Sequence, residues 1–324
     1  MARWQYEKGL HEIGNGLWAY LLPDGSWGWS NAGLIVDGDQ SLLVDTLFDL
    51  KLTDDMLAAM RRATPAAQRI DKLVNTHANA DHVWGNQRVL GAEIIGSRGI
   101  AEEFDHFLPA TLVDLMAKAP GMGTLGEFIT HCFEPFDFRG IELTPPTMVF
   151  DDEITLSVGD RQVLVKNFGP AHTRGDSMVW LPRERVLFTG DLLFVDGHPV
   201  IWEGPIANWQ RACDWILALD VDVVVPGHGP IVDKRRVREF KGYLDYIERE
   251  TRKRFDAGMS EWDATCDISL DDYSTWGDAE RLYGNVAALY REFRGEKHPP
   301  EVMPVFAQMA EFWKVLEARR AAAR

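Results

Sequence analysis

The sequence predicts an α/β fold in which sheets and helices form layers, and three features of the chain carry this prediction. Short apolar runs between turn sequences indicate β-strands within residues 16–48. The strand–loop–helix–strand order over residues 69–96 is typical of layered α/β proteins. A second set of strand-like runs at 148–195 gives way, beyond residue 233, to helical and highly charged sequence.

The first half of the chain alternates between strand and helix patterns. Helical spacing predicts one helix at 54–62, where Met56 and Met60 share a face, and a second at 83–90. Residues 97–145 are rich in Phe, Met and Gly and predict a mostly helical insertion. The predicted strands of this half are 16–22, 32–36, 41–45, 69–75 and 93–96.

The second half returns to strands and ends in helices. We expect residues 1–233 to form one domain and residues 234–324 to form a helical extension packed on it. Packing within the subunit is the default expectation for this extension; covering the site or pairing in a homodimer are the alternatives. The predicted strands are 155–158, 162–167, 178–181, 186–189 and 222–225, and the predicted helices are 234–257, 279–293 and 301–318.

The composition narrows the class of protein. Acidic residues outnumber basic ones by 50 to 34, giving a net charge of −16, which argues against a nucleic-acid partner. The 3 cysteines form no CxxC pair, so a reducing compartment fits better than a disulfide framework. The chain shows no signal peptide and no apolar run long enough to span a bilayer, so we expect a cytoplasmic protein without membrane contact.

Histidines and aspartates follow several predicted strands. Strand ends converge on one edge of a sheet in layered α/β folds, so these side chains are expected to lie close together. Imidazole and carboxylate groups gathered in this way suit a borderline or hard divalent cation. The residues are His77 and His82 after strand 69–75, His172 after 162–167, Asp191 after 186–189 and His228 after 222–225.

These segments resemble the metallo-β-lactamase superfamily over roughly residues 12–233. The matching pieces occur in the family's order: Asp45 in LLVDTL, the run His77-x-Asn79-x-Asp81-His82, then His172, Thr189-Gly190-Asp191 and Gly227-His228-Gly229. The resemblance implies a metallo-β-lactamase αββα sandwich, here with a helical insertion at about 97–145 and a helical C-terminal extension.

The resemblance also implies a ligand set for one or two metal ions, with zinc favoured and iron or manganese as alternatives. His77, Asn79 and His172 would hold one ion, Asp81, His82 and His228 a second, and Asp191 would bridge them. Asp45 would orient a ligand histidine or its loop. The family usually has histidine at position 79; an amide is a weaker zinc ligand, so the first site should bind less tightly.

The implied activity is metal-dependent hydrolysis, with catalytic roles for Asp81, Asp191 and His172. Zinc lowers the pKa of bound water from 15.7 to about 7 and so supplies hydroxide at neutral pH. Candidate bonds are ester, thioester, lactone, sulfate ester or an activated carbon–halogen bond. The alternatives are a mono-iron dioxygenase, a hydrolytic dehalogenase or sulfatase, a nuclease disfavoured by the net charge, and a non-catalytic scaffold.

Aromatic residues suggest an apolar small-molecule substrate. Trp27 and Trp29 lie between two early strands, in the position of the family's substrate-flap hairpin. Aromatic side chains on the rim of a site favour apolar ligands. Ordinary core packing is the alternative for the tryptophans, and a loop histidine without a role is the alternative for His198. The candidate substrate-binding residues are Trp27, Trp29, Trp84, His198 and Trp202.

Overall fold

The computed structural model describes residues 4–297 and 301–322. Two β-sheets pack face to face, and helices cover the outer face of each. The seven-stranded sheet follows chain order, with β1 (Gly9–Gly14), β2 (Leu17–Leu21), β3 (Ala32–Asp37), β4 (Gln40–Val44), β5 (Lys72–Val74), β6 (Glu93–Ser97) and β7 (Met148–Phe150). The five-stranded sheet has the spatial order β12-β11-β10-β9-β8, formed by β8 (Glu153–Val158), β9 (Arg161–Asn167), β10 (Ser177–Leu181), β11 (Val186–Phe188) and β12 (Val223–Val225).

Strand alternation sends successive side chains to different layers. Leu42 and Val44 of β4 point between the sheets, whereas Leu43 packs on the outer helical layer. In β10, Val179 faces the first sheet and Trp180 the helices on the other side. Successive side chains of a strand point to opposite faces, so one strand serves two cores. These central strands are buried on both faces, which explains their nearly continuous apolar sequence.

The helices occur between and after the strands. Helix α1 shows the expected apolar stripe, and its first turn is capped by Asp49, whose carboxylate accepts the Leu52 N–H at 2.7 Å. No helix among the described residues combines the length and apolarity needed to cross a membrane. The helices are α1 (Leu50–Ala63), α2 (Ala80–Val83), α3 (Arg98–Glu103), α4 (Pro109–Lys118), α5 (Gly123–Phe133), α6 (Ile206–Ala218), α7 (Lys234–Asp256), α8 (Glu261–Asp267), α9 (Arg281–Phe293) and α10 (Val302–Ala322).

The layered α/β architecture and the mostly helical insertion are as predicted. Four elements were not predicted: β1, β7, α6 and α8. The short edge strand β7 has only three residues, too few to show a period in the sequence. The predicted division of the chain at residue 233 stays a prediction.

The helix expected at 83–90 is corrected. The structure has α2 at Ala80–Val83 and a separate 3₁₀ turn at Asn86–Val89. Gly85 lies between them, and a Cβ at this residue would lie 2.0 Å from the Thr53 hydroxyl oxygen on α1. The chain passes so close to α1 that it turns there instead of continuing as one helix.

The C-terminal helices reach both sides of the sandwich. Helices α7 and α9 share one core with α6 against the second sheet. Helix α10 lies on the other side, where Phe306 and Met309 pack with Phe128 and Phe133 of the insertion helix α5. This places the first turns of α10 near the ends of the strands that carry the candidate metal ligands.

Candidate metal centre

The predicted ligands come together at one end of the sandwich. Strands β9, β11 and β12 run in the same direction, because β10 is antiparallel to both β9 and β11, and β12 is parallel to β11. The loops after these three strands and the loop after β5 meet there. Two groups of side chains have ligand atoms within 4.8 Å of one another: His77, His172 and Asp191, and Asp81, His82 and His228.

Asp191 is the centre of the cluster. Its carboxylate faces the Nε2 atoms of four histidines, at 3.1 Å from His82, 3.3 Å from His172, 3.4 Å from His228 and 3.6 Å from His77. Asp81 lies on one side only, with its carboxylate 3.3 Å from His228 and 3.8 Å from His82. One carboxylate can therefore serve both groups of histidines, as expected for a bridging ligand.

Each of the four imidazoles is held by its other nitrogen. A partner that accepts the Nδ1 proton leaves Nε2, the nitrogen on the Asp191 side, as the atom that can bind a metal once it carries no proton. Asp45 fixes the orientation of two of these rings. It accepts a hydrogen bond from His82 directly and another from Thr76, which in turn contacts His77. The Nδ1 partners are Thr76 Oγ1 for His77 at 3.0 Å, Asp45 Oδ2 for His82 at 3.0 Å, the Val200 carbonyl for His172 at 2.6 Å and the Gly25 carbonyl for His228 at 3.0 Å.

Two glycines of the motifs allow this close packing. A Cβ at Gly227 would lie 2.0 Å from the Asp191 carboxylate, so only glycine fits before His228. Gly190 has φ +50°, and a Cβ there would lie 2.4 Å from the Thr76 hydroxyl. Glycine adopts this left-handed conformation without steric cost. The motifs Thr-Gly-Asp and Gly-His-Gly thus supply the candidate ligands and also the glycines that let neighbouring loops pack closely.

The electrostatics of the two groups differ. Burial lowers the pKa values of His77 and His172, so these rings are neutral. Burial also opposes the charge of His82 and His228, but Asp191 and Asp81 outweigh it; the pKa of His228 rises to about 9 and that of His82 lies well above its usual value. The two carboxylates therefore create a negative potential at the second group.

The donor set fits a divalent metal ion. Among the described residues, Nε2 of His77, Nε2 of His82 and Oδ1 of Asp191 are buried and make no well-formed hydrogen bond, although the last two atoms lie 3.1 Å apart. Buried polar atoms are normally satisfied, so such orphans need an explanation, and an ion is one of the recognised ones. Imidazole nitrogens and carboxylate oxygens are ligands for zinc and similar ions. These residues are therefore able to bind metal.

Asn79 contacts the first group in an unexpected way. Its side-chain amide lies 2.8 Å from Nε2 of His172. His172 already gives its Nδ1 proton to the Val200 carbonyl, which can only accept, so the neutral ring has a bare Nε2. The amide must therefore donate its N–H to Nε2. The lone pair that His172 would offer to a metal is already hydrogen-bonded to Asn79.

A cavity of about 340 Å³ opens on the cluster. Its wall includes Asn79, Asp81, His172, Asp191 and His228. Most of the remaining wall is apolar and comes from distant parts of the chain, namely Trp27, Phe48, Phe104, Phe107, Leu112, Leu115, Ile129, Phe133, Phe194, Val200, Trp202, Val302, Met303 and Phe306.

Some of the predicted substrate-binding residues line the cavity and others do not. Trp27 and Trp202 line the cavity. Trp84 is buried behind it and stacks on Phe48, with ring centroids 5.5 Å apart. Trp29 packs on Phe136 at 4.7 Å, and neither Trp29 nor Trp84 is part of the wall. Core packing describes these two residues better than contact with a ligand.

His198 also lies outside the cavity, so the structure gives it no contact with a substrate. The ring is fully buried against Tyr243 and Trp276, at centroid distances of 5.1 and 5.7 Å. Neither ring nitrogen makes a well-formed hydrogen bond within the part of the chain that the structure describes. Burial, aided by the positive charge of Arg281, lowers the pKa of His198 to about 3.

This buried histidine should make the fold sensitive to acid. Its folded pKa lies below the unfolded value of about 6.5, so the folded state gains stability from neutral His198 that is lost as the pH falls from 6.5 towards 3. We expect the free energy of unfolding to drop by about 2 kcal/mol more between pH 7 and 5 in the native chain than in His198→Leu. Denaturant titration at both pH values measures this, with the exposed His131→Leu as control. Equal acid sensitivity of the native chain and His198→Leu would contradict it.

Several wall residues were not predicted from the sequence. Glu103, Phe104 and Phe107 come from the insertion, and Arg281 and Phe306 come from the C-terminal helices. Arg281 lies over the Trp27 ring at 4.1 Å, and the Trp27 indole N–H donates to the neighbouring Glu280 at 2.8 Å. No local pattern marks these residues, because their role comes from contacts between distant segments.

Comparison with known proteins places the chain in a family. Residues 25–228, more than half of the chain, match the Metallo-beta-lactamase superfamily. The human acyl-coenzyme A thioesterase MBLAC2 is 24% identical over 214 residues, covering 61% of this chain and 72% of that protein. The beta-lactamase-like protein 2 homolog of Caenorhabditis elegans is 25% identical, covering 81% of this chain and 78% of that protein. The hydroxyacylglutathione hydrolase of Brucella anthropi is 26% identical, covering 60% of this chain and 59% of that protein.

Solved structures support the same fold. The stereoselective inverting sec-alkylsulfatase Pisa1 from Pseudomonas sp. gives a TM-score of 0.66 at 16% identity over 89% of this chain. The match covers 50% of the sulfatase, so this chain spans about half of its length. The metallo-beta-lactamase from Pontibacter korlensis gives a TM-score of 0.54 at 19% identity, covering 74% of this chain and 99% of that one.

The chain belongs to the metallo-beta-lactamase superfamily. Its relatives include hydrolases that align over about 60% of the chain, and its own cluster of histidines and aspartates is able to bind metal. It is a metallo-hydrolase, as the sequence predicted.

Proposed function

We propose that this chain is a zinc-dependent hydrolase of a small, largely apolar ester or thioester. One observation carries the proposal: the cavity that opens on the ligand cluster is otherwise walled mainly by aromatic and aliphatic side chains. Such cavities bind apolar ligands and orient them by a few polar groups. Two relatives are named as an acyl-coenzyme A thioesterase and a hydroxyacylglutathione hydrolase, which supports acyl transfer to water.

Asp81, His82, His228 and Asp191 would hold the principal ion. Bound zinc supplies a Lewis acid and a water of lowered pKa. Asp45 fixes the ring of His82, and the Gly25 carbonyl fixes that of His228, so the ligands are preorganised. Asp81 and Asp191 supply negative charge beside the cavity, and Nε2 of His172 can accept a hydrogen bond there once Asn79 moves.

Metal analysis and a substrate panel test the proposal. The purified chain, treated with a chelator, should lose hydrolysis of short-chain aryl esters and thioesters and regain it with added Zn²⁺. The panel should include lactones and sulfate esters, and iron-loaded protein should be tested for oxygen consumption. Full activity in protein shown to be metal-free by elemental analysis would contradict the proposal, and activity on sulfate esters alone would replace its substrate class.

Trp202 should contribute to substrate binding. We expect Trp202→Ala to raise KM about tenfold with a smaller change in kcat, because loss of contacts made equally in the ground and transition states affects binding only. Trp29→Ala is the matched control, since Trp29 lies outside the cavity wall. Steady-state kinetics on the best panel substrate measure both variants. A larger KM change for Trp29→Ala than for Trp202→Ala would refute this assignment of the wall.

A further inference from the structure

Glu103 is a partly buried carboxyl group in the cavity wall that no ligand role uses. It is the last residue of α3, the first helix of the insertion. Ser97 begins this helix, and its hydroxyl donates to the Gly175 carbonyl at 3.1 Å. A Cβ at Gly99 would lie 2.7 Å from the Arg174 carbonyl oxygen, so α3 lies directly on the loop of residues 174–175. The backbone therefore fixes where Glu103 stands.

The same loop connects Glu103 to the ligand cluster. One carboxyl oxygen of Glu103 accepts the backbone N–H of Arg174 at 3.0 Å. Arg174 follows the candidate ligand His172 by two residues, and two residues of chain span at most ~7 Å. Glu103 is thus held near the metal end of the cavity, within reach of a substrate that occupies it.

The charges around Glu103 favour a protonated carboxyl group. Burial is the largest effect, the negative charges of Glu203 and Glu102 act in the same direction, and the Arg174 N–H opposes them; together they raise the pKa of Glu103 to about 7. The Arg174 guanidinium forms ion pairs with Glu203 at 3.6 Å and Glu102 at 3.9 Å. The buried Asp176 is also nearby, but burial raises its own pKa well above the usual value. A general acid is most effective when its pKa is close to the working pH.

We infer that Glu103 donates a proton to the leaving group of the substrate. The inference rests on the proposed hydrolase function. Water adds its oxygen to the acyl carbon, the bond to the leaving oxygen breaks, and the electron pair of that bond takes the proton of Glu103. The proton that the attacking water loses restores Glu103 through solvent. The products are a carboxylic acid and an alcohol.

This role points to oxygen esters as the substrate class. An alkoxide is a strongly basic leaving group and needs a proton as the bond breaks. The thiol of cysteine has a pKa near 8.5, and thiols in general are far more acidic than alcohols, so a thiolate leaves without a proton much more readily than an alkoxide. A general acid therefore accelerates the hydrolysis of alkyl esters and has little effect on thioesters or on aryl esters with acidic phenols.

Glu103→Gln should lower kcat/KM to different extents for these leaving groups. With one apolar acyl group carried on ethanol, ethanethiol and p-nitrophenol, we expect kcat/KM for the ethyl ester to fall by about 10²–10⁴-fold. The thioester and aryl ester should change by less than about threefold, and the pH dependence near 7 should disappear for the ethyl ester. Glu102→Gln is the matched control, since Glu102 is an exposed carboxyl on the same helix. Glu103→Asp should restore part of the ethyl-ester activity.

The possible outcomes separate this inference from the proposed function. Metal content and thermal stability of each variant are measured first, to show that the cluster and fold are intact. An equal fall with all three leaving groups, or no fall with the ethyl ester, would overturn the role of Glu103 while leaving metal-dependent hydrolysis in place. If the native chain hydrolyses none of the three, or does so without metal, the proposed function fails and the inference fails with it.

Discussion

Asp191→Asn is expected to remove most bound metal and to lower kcat/KM by at least ~10³-fold. Asp191 is the only carboxylate among the described residues that faces all four histidines of the cluster, and an amide can replace neither its charge nor its bridging geometry. Loss of a single preorganised electrostatic partner already costs about 10²–10³-fold in other enzymes. Loss of the bridging ligand should cost more, because it weakens both groups of ligands at once.

A matched substitution distinguishes this effect from a general disturbance of the loop. Asp196→Asn changes an exposed aspartate five residues further along and should leave metal content and kcat/KM within about twofold of the native values. Elemental analysis and circular dichroism on both variants report metal and fold separately. Native metal content in folded Asp191→Asn would show that Asp191 is not a ligand and would require a different centre.

Asn79→His is expected to raise the zinc content of the purified chain from one tightly held ion towards two. The complete ligand set is that of Asp81, His82, His228 and Asp191, where two carboxylates already favour positive charge. At the other position His77 and His172 are neutral, and Asn79 directs its N–H at the lone pair of His172. Zinc sites normally use at least three protein ligands; Asp191 is shared with the other position, so a third imidazole would give this position three ligands of its own.

Asn79→Ala provides the control for this prediction. It removes the hydrogen bond to His172 without adding a ligand, so its zinc content should stay near that of the native chain. Titration calorimetry on metal-free protein should show one tight site in the native chain and in Asn79→Ala, and a second site tightened by more than ~10-fold in Asn79→His. Two equally tight sites in the native chain would refute the inequality and make Asn79 a competent ligand.

The cluster of histidines and aspartates could be predicted because each of its members lies in a short sequence motif. Each ligand directly follows a strand whose apolar residues are consecutive in the sequence, and strand ends meet at one edge of a layered fold. The short motifs also contain the glycines that close approach demands, as Gly227 does against Asp191. The structure brings these histidines and aspartates together and places Asp45 against His82; their role as metal ligands stays a prediction.

The wall of the cavity could not be predicted in the same way. The sequence predicts a helix at 301–318, but not which surface that helix contacts. In the structure the ring of Phe306 lies 5.1 Å from that of Trp27, and α10 forms part of the cavity wall. His198, by contrast, follows Asp191 closely in the sequence yet is buried among aromatic residues away from the site.

The sequence by itself determined the layered α/β class and the histidines and aspartates that gather at one end of the sandwich, because strand periodicity and short motifs encode them within a few residues. Only the tertiary structure decided which side chains line the cavity beside them. Trp27 and Glu280, joined by a hydrogen bond, are 253 positions apart in the chain. Contacts of that separation depend on how whole layers pack, and a pattern that repeats every two or 3.6 residues states that a face is buried without stating what covers it.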